Sequence, residues 1–344
     1  MRDYASLRRD ARAPRSWAAY DAAGRRFVRF LNTVRAARGV TPFSRFDDVP
    51  LSAAGDPVNA SFMVWLATDE RLAPGTIRQS VQGVMALFEE RGVPRFVFRG
   101  SLSETVAAGI SRRYGQARRG PARPPLTMGL MSRIRAALDR DPGSAHPLSA
   151  ETFWCILTWS FFGLFRPGEL VACSDGRSQG LLASDVSQGH GPHPGRSCWT
   201  VRVRRSKTDR GGRGAEVLLA ENLEARPSCP ARAGGAYAAW RDRLRRRRSE
   251  GFFLLASGDP VTTAHYAAAL RAVTAAAGIP ERERPRPHSG RIGGASAAVA
   301  AGASDIALRA SGRWRSDPVA LGYVRQSVEG ASVFHHQMAR GRRA

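Results

Sequence analysis

Six side chains in the second half of the chain could do chemistry together. In chain order they are Arg166, Lys207, His288, Arg291, Trp314 and Tyr323. Two arginines can clamp the non-bridging oxygens of a phosphodiester and stabilise the charge of a pentacoordinate transition state. A tyrosine hydroxyl can attack the phosphorus and hold it covalently. A phenol has a pKa of about 10, so a phenolate leaves more readily than an alkoxide and the bond can be remade. A lysine can protonate the departing oxygen, a histidine can move a proton or bind the phosphate, and an indole can pack beside them and donate its N–H.

Lys207 stands out by rarity. The chain has 53 lysines and arginines, and Lys207 is the only lysine. Arginine binds phosphate at least as well but keeps its proton; a lysine ammonium can be tuned to give one up. One lysine among arginines therefore marks a place where a proton must move. Taken alone, it is more simply a survivor on a basic hairpin. Arg166 lies in Gly163-Leu164-Phe165-Arg166-Pro167-Gly168-Glu169-Leu170. Glu169 is three residues on and, on a helix, could orient Arg166; a buried structural ion pair is the plainer alternative. His288 and Arg291, three apart, share one helix face. Trp314 follows Ser311-Gly312-Arg313, and Tyr323 comes nine residues later. Ser316 or Asp317 can cap the last helix and Pro318 suits its first turn, which puts Tyr323 on that helix.

These groups need elements to hold them. Residues 1–15 read as a basic arm. Apolar residues at helical spacing (Trp17, Tyr20, Phe27, Phe30, Leu31, Val34) open a helical domain over 16–115. A second helix starts near Phe62, a third follows Pro74 and stops at Gly92, and a fourth covers 105–114. Residues 116–125, rich in Pro, Gly and Arg, read as a basic linker. The second domain, 126–344, opens with helices near 128–139 and 149–164. Two strands, 199–205 and 215–219, flank a turn that carries Lys207. Helices follow near 231–248, 263–277, 288–301 and 317–327. The fold class is mainly α with a small antiparallel β-sheet.

The ordered set resembles the tyrosine recombinase (phage integrase) family. The pattern covers about 220 residues; the N-terminal bundle is similar, less specifically, to that family's core-binding domain. Gly312-Arg313-Trp314-Arg315-Ser316-Asp317 with Tyr323 downstream resembles recombinases of DIRS and Crypton mobile elements. The Trp-to-Tyr interval is also similar to that of Cre. The resemblance implies an α+β catalytic domain in which Arg166, Lys207, His288, Arg291, Trp314 and Tyr323 are catalytic and Glu169 supports the first arginine. It implies DNA cleavage and rejoining through a 3′-phosphotyrosyl intermediate, without metal, ATP or other cofactor, by a homo-oligomer, a tetramer on paired double-stranded DNA sites. Relaxation in the manner of a type IB topoisomerase, and a decayed protein that only binds DNA, are the alternatives. Three features depart from the pattern. Gly290 should loosen its turn, Pro167 follows the first arginine directly, and the Gly-, Ser- and His-rich stretch 174–198 reads as an insertion.

Composition agrees with a polyanionic partner. The 53 basic residues face 29 acidic ones, a net charge of +24. A GC-rich coding sequence explains arginine in place of lysine but not that surplus. Arg118, Arg119, Arg123, Arg204, Arg205 and Arg210 are candidate phosphate contacts. The run 241–248 reads as an exposed helix face or a phosphate contact. Cys155, Cys173, Cys198 and Cys229 lack metal-site spacing and read as reduced thiols, consistent with an intracellular protein that stays with DNA. The apolar run 153–165 is too short for a membrane span. Adjacent His335 and His336 read as solvated. Val324, Val328 and Val333-Phe334 could anchor the tail on a neighbouring protomer or in cis.

Overall fold

The computed structural model describes residues 14–118, 123–174, 178–190, 197–204, 213–222, 224, 226–244 and 251–325. The chain forms two compact units, 1–122 and 123–344. Among the described residues no helix is long and apolar enough to cross a membrane.

The first unit is helical: α1 Pro14–Ala36, α2 Asp56–Thr68, α3 Pro74–Glu90 and α4 Ser101–Tyr114. Its core is an aromatic cluster in which Phe27 meets Phe62 edge-on at 5.0 Å and Phe46 meets Phe88 at 5.0 Å. Helix α2 starts six residues before the expected Phe62, because Gly55 and Pro57 set its first turn. Val34 is exposed rather than packed. Arg118 turns back into this unit, donating to the carbonyl of Ala67 (2.6 Å) in the last turn of α2 and to that of Leu72 (3.1 Å) just beyond it.

The second unit is built around α6 Ala150–Phe162, with Ser149 as its N-cap. Ten consecutive residues, Thr152 to Phe161, are buried, so α6 is apolar on every side and must be surrounded. It is flanked by α5 Met128–Arg140, α8 Pro230–Asp242, α9 Thr263–Ala276 and α10 Ser289–Ala300. Between the short α7 Pro167–Leu170 and α8 lies an antiparallel sheet, β1 Val186–His190, β2 Ser197–Val203 and β3 Ala215–Ala220, in the order β1-β2-β3. Val201 is opposite both Val186 and Val217. Strand β1 is a correction: it occupies part of the stretch expected to be an insertion. Only the first of its five residues is even half-buried, so it carries no apolar alternation to read. Helix α11 Asp305–Gly312 was also unforeseen, and α12 is short, Asp317–Leu321. The expected exposed run begins with a buried residue: Arg241 donates to the carbonyls of Phe252 (3.0 Å) and Gly251 (3.4 Å).

Glycines bring α10 against α6. A methyl group on Gly290 would stand 2.2 Å from Ser160 Oγ, and one on Gly294 would stand 2.1 Å from the Phe161 carbonyl oxygen. Gly290 therefore does not loosen its turn; it permits close approach. Gly293 is the tightest, 1.8 Å from the Leu126 carbonyl oxygen, which belongs to backbone. Helix propensity alone favours alanine there by about 1 kcal/mol, but overpacking typically costs about 1–3 kcal/mol and a backbone atom cannot rotate away. Gly293→Ala should therefore lower stability, by about 1 kcal/mol net in urea unfolding; a gain would show that this contact relaxes freely.

Candidate active site

Helix α6 ends at Gly163, and the chain turns sharply through Leu164, whose φ is +48°. Arg166 is extended (φ −77°, ψ 146°) as the N-cap of α7. Pro167 follows at a position where its missing N–H would have had no helical partner. It is thus part of the turn and not a defect. Glu169, in the first turn of α7, accepts the Arg166 backbone N–H at 2.9 Å through Oε2 and the Arg166 guanidinium at 2.7 Å through Oε1. The i, i+3 spacing therefore does orient the arginine.

A second guanidinium reaches the same carboxylate from 144 residues away. Arg313 donates to Glu169 Oε2 at 2.9 Å and to the carbonyls of Gly163, Leu164 and Ser311 at 3.0–3.1 Å. Arg313 caps α11 in the left-handed conformation, φ +56°. The Glu169 side chain is 4% exposed. Burial alone would raise its pKa; Arg313, the Arg166 N–H and the Arg166 charge overcome that and hold it below its ordinary value.

Arg291 lies on α10 and is fully buried. It donates to the carbonyls of Leu164 and Gly312. Its guanidinium carbon is 4.4 Å from the Trp314 ring centre and 5.2 Å from that of Tyr323. Trp314 and Tyr323 pack at 5.1 Å. Burial, then the charge of Arg166, lowers the Arg291 pKa to about 10, so it stays charged at neutral pH. Arg291 Nε and Trp314 Nε1 are buried without an acceptor among the described residues. His288, one residue before α10, is held below the ordinary imidazole pKa by burial and by Arg123, Arg166 and Arg291, with Glu169 opposing.

One carboxylate thus pairs with two guanidiniums, Arg166 and Arg313, and its charge also reaches a third, Arg291. Buried charge is costly unless paired, and here the pairing is incomplete on the cationic side. The cluster suits an anion with several acceptor oxygens beside a phenol.

Arg166, Glu169, His288, Arg291, Trp314 and Tyr323 fall together in the second unit. Tyr323 sits two residues beyond α12, where its N–H donates to the Ala320 carbonyl at 3.0 Å, and not on a helix reaching 327. Lys207, Arg205, Arg210 and Arg119 lie outside the described residues. Arg123 is exposed, and its charge reaches His288. Arg204 pairs with buried Asp185 at 2.5 Å at the end of β2. Sequence reasoning missed Arg313. Its neighbours Gly312 and Trp314 were singled out, but nothing local connects it to a carboxylate so far back.

No protein-family model matches the sequence, and no curated protein is detectably similar to it. Solved structures are similar in shape. XerH site-specific recombinase bound to palindromic difH substrate has 14% identity and a TM-score of 0.57, over 90% of this chain and 77% of that one. The Tn1549 transposon integrase in complex with transposon right end DNA has 13% identity and a TM-score of 0.54, over 91% and 99%. Helical units, a small antiparallel sheet and these likenesses lead to one conclusion: the chain has the tyrosine-recombinase fold.

Proposed function

We propose that this protein cleaves and rejoins DNA strands through a covalent phosphotyrosyl intermediate, in site-specific recombination or integration. The observation that carries the reading is the surplus of guanidinium over carboxylate around Tyr323. Arg166 and Arg291 bind the non-bridging oxygens of the scissile phosphate and stabilise the charge that builds there. The Tyr323 oxygen attacks phosphorus, a phosphorus–tyrosine bond forms, and the bond to the 5′ oxygen breaks. His288, kept neutral at pH 7, is the group in the cluster that can take the phenolic proton, while Lys207 gives one to the 5′ oxygen. The products are a 3′-phosphotyrosyl end and a 5′-hydroxyl, and reversal rejoins the strand. The phosphotyrosyl bond that forms keeps the energy of the phosphodiester bond that breaks, so rejoining consumes no ATP. The guanidiniums supply the electrostatic role a metal would otherwise play. Exchange of four strands needs four nucleophiles, so four copies would act together on paired sites. The net charge of +24 favours double-stranded DNA as partner.

The test is trapping. A nicked suicide duplex, from which the short 5′ fragment escapes after cleavage, should leave the wild-type chain covalently attached. Relaxation of supercoiled plasmid of any sequence would instead favour a topoisomerase, and DNA binding without an adduct a decayed enzyme. The acid role of Lys207 has its own check. Lys207→Arg keeps charge but loses the donor, so cleavage of normal DNA should fall by about 100-fold or more. Cleavage of a 5′-thio substrate, whose leaving group needs little protonation, should be largely restored. Equal loss on both substrates would remove the role.

A further inference from the structure

We propose that Arg313 is a positioning residue, which aims Arg166 at the phosphate by holding Glu169 from behind. This rests on the reading of Arg166 as a phosphate ligand. Three observations support it.

The first is how the donors are used. Arg313 spends its terminal nitrogens on four acceptors inside the protein: Glu169 and the carbonyls of Gly163, Leu164 and Ser311. Its side chain is 9% exposed and lies 4.9 Å over the Phe165 ring. Among the described residues the Arg166 guanidinium donates only to Glu169 Oε1, leaving most of its fork for a ligand. Of the two arginines on one carboxylate, one is tied inward and the other is available.

The second is the backbone. Helices commonly end on a left-handed residue, usually glycine, because a Cβ is penalised there by about 1 kcal/mol. This chain has arginine at that position, φ +56°. The side chain must be worth more than the penalty it brings. Leu164, the residue whose carbonyl accepts from both Arg313 and Arg291, is also left-handed, φ +48°. Two strained turns, 149 residues apart, are therefore laced to each other by arginine donors.

The third is division of labour on Glu169. Its Oε1 takes Arg166, and its Oε2 takes Arg313 and the Arg166 N–H. Without Arg313 the carboxylate is free to rotate, and Arg166 loses its fixed aim. Arg313 also joins the segment carrying Trp314 to the turn carrying Arg166, so both sides of the site keep one register.

A double-mutant cycle on DNA affinity tests this with the full chain and a short fluorescent duplex. Arg166→Gln removes a charged donor to phosphate and should weaken binding by about tenfold. Arg313→Gln should weaken it about threefold in the wild-type background and not further in the Arg166→Gln background. Equal losses in both backgrounds would mean that Arg313 acts independently, and no loss in either would mean that Arg166 needs no aiming; each overturns the proposal. Arg313→Gly is the second variant. It relieves the left-handed strain, so it should fold at least as well as Arg313→Gln yet bind equally weakly. Wild-type affinity in Arg313→Gly would also overturn it. The cycle reads binding only. Failure of the wild type to form an adduct would therefore sink the strand-cleavage reading while leaving the aiming of Arg166 to be decided by the cycle.

Discussion

Tyr323→Phe should abolish covalent capture of DNA, lowering adduct formation by at least about 10^4-fold while leaving DNA affinity within about twofold of wild type. The substitution removes one oxygen. The ring that packs on Trp314 at 5.1 Å and on Arg291 at 5.2 Å is retained, so the site keeps its shape. No other tyrosine of the second unit can replace it. Tyr237 donates to the Phe252 carbonyl and accepts from Leu254 N at 3.0 Å, and Tyr266 is 1% exposed. Burial raises the pKa of both hydroxyls well above the ordinary phenol. A denaturing gel of wild type and variant on the suicide duplex reads the result. An adduct that persists in Tyr323→Phe would place the nucleophile elsewhere.

The second large effect is on stability. Glu169→Ala should destabilise the second unit by about 3–5 kcal/mol at pH 7, the range for breaking a buried ion pair from one side. Two guanidiniums would lose their shared acceptor and Arg291 a compensating charge. Glu169→Gln, which keeps the shape, isolates the charge and gives a pH signature. The Glu169 pKa is depressed in the folded chain relative to its ordinary value of 4.5. Its charge therefore stabilises fully above about pH 5, and that contribution is lost as pH falls through the depressed folded value. The stability gap between wild type and Glu169→Gln should be flat from pH 8 to about 5 and should narrow progressively as pH falls below the ordinary value of 4.5. Urea unfolding across this range measures it, and a gap that persisted unchanged at pH 3 would mean that the carboxylate is not the source.

Local features were legible in the sequence. Arg166 and Glu169 are three residues apart, and a turn of helix decides their meeting. The apolar run around Trp159 could only be a surrounded helix, and α6 is one. The alternation in 199–205 gave β2, Ser197–Val203, to within two residues at each end. What was not legible depends on distance or on the absence of a side chain. Arg313 finds Glu169 only because two turns face each other. Gly290 looked like a weak point because the sequence does not say that Ser160 lies 2.2 Å from where its Cβ would be. Strand β1 is solvent-facing and glycine-containing, so pairing with β2, not its own pattern, makes it a strand. Tyr323 fell beyond its helix because α12 ends at Leu321.

Arg291 has no exposed surface, with the Trp314 and Tyr323 rings packed against it. If Arg291 is a phosphate ligand as proposed, a phosphate can touch this guanidinium only in the fraction of molecules whose rings have moved aside. Measured affinity is then the intrinsic affinity multiplied by that fraction, so a 1% population weakens binding about 100-fold. On that reading, packing between two aromatic rings would act as a set point. It would fix how much of the protein is competent at any moment, separately from how well a competent molecule holds its ligand.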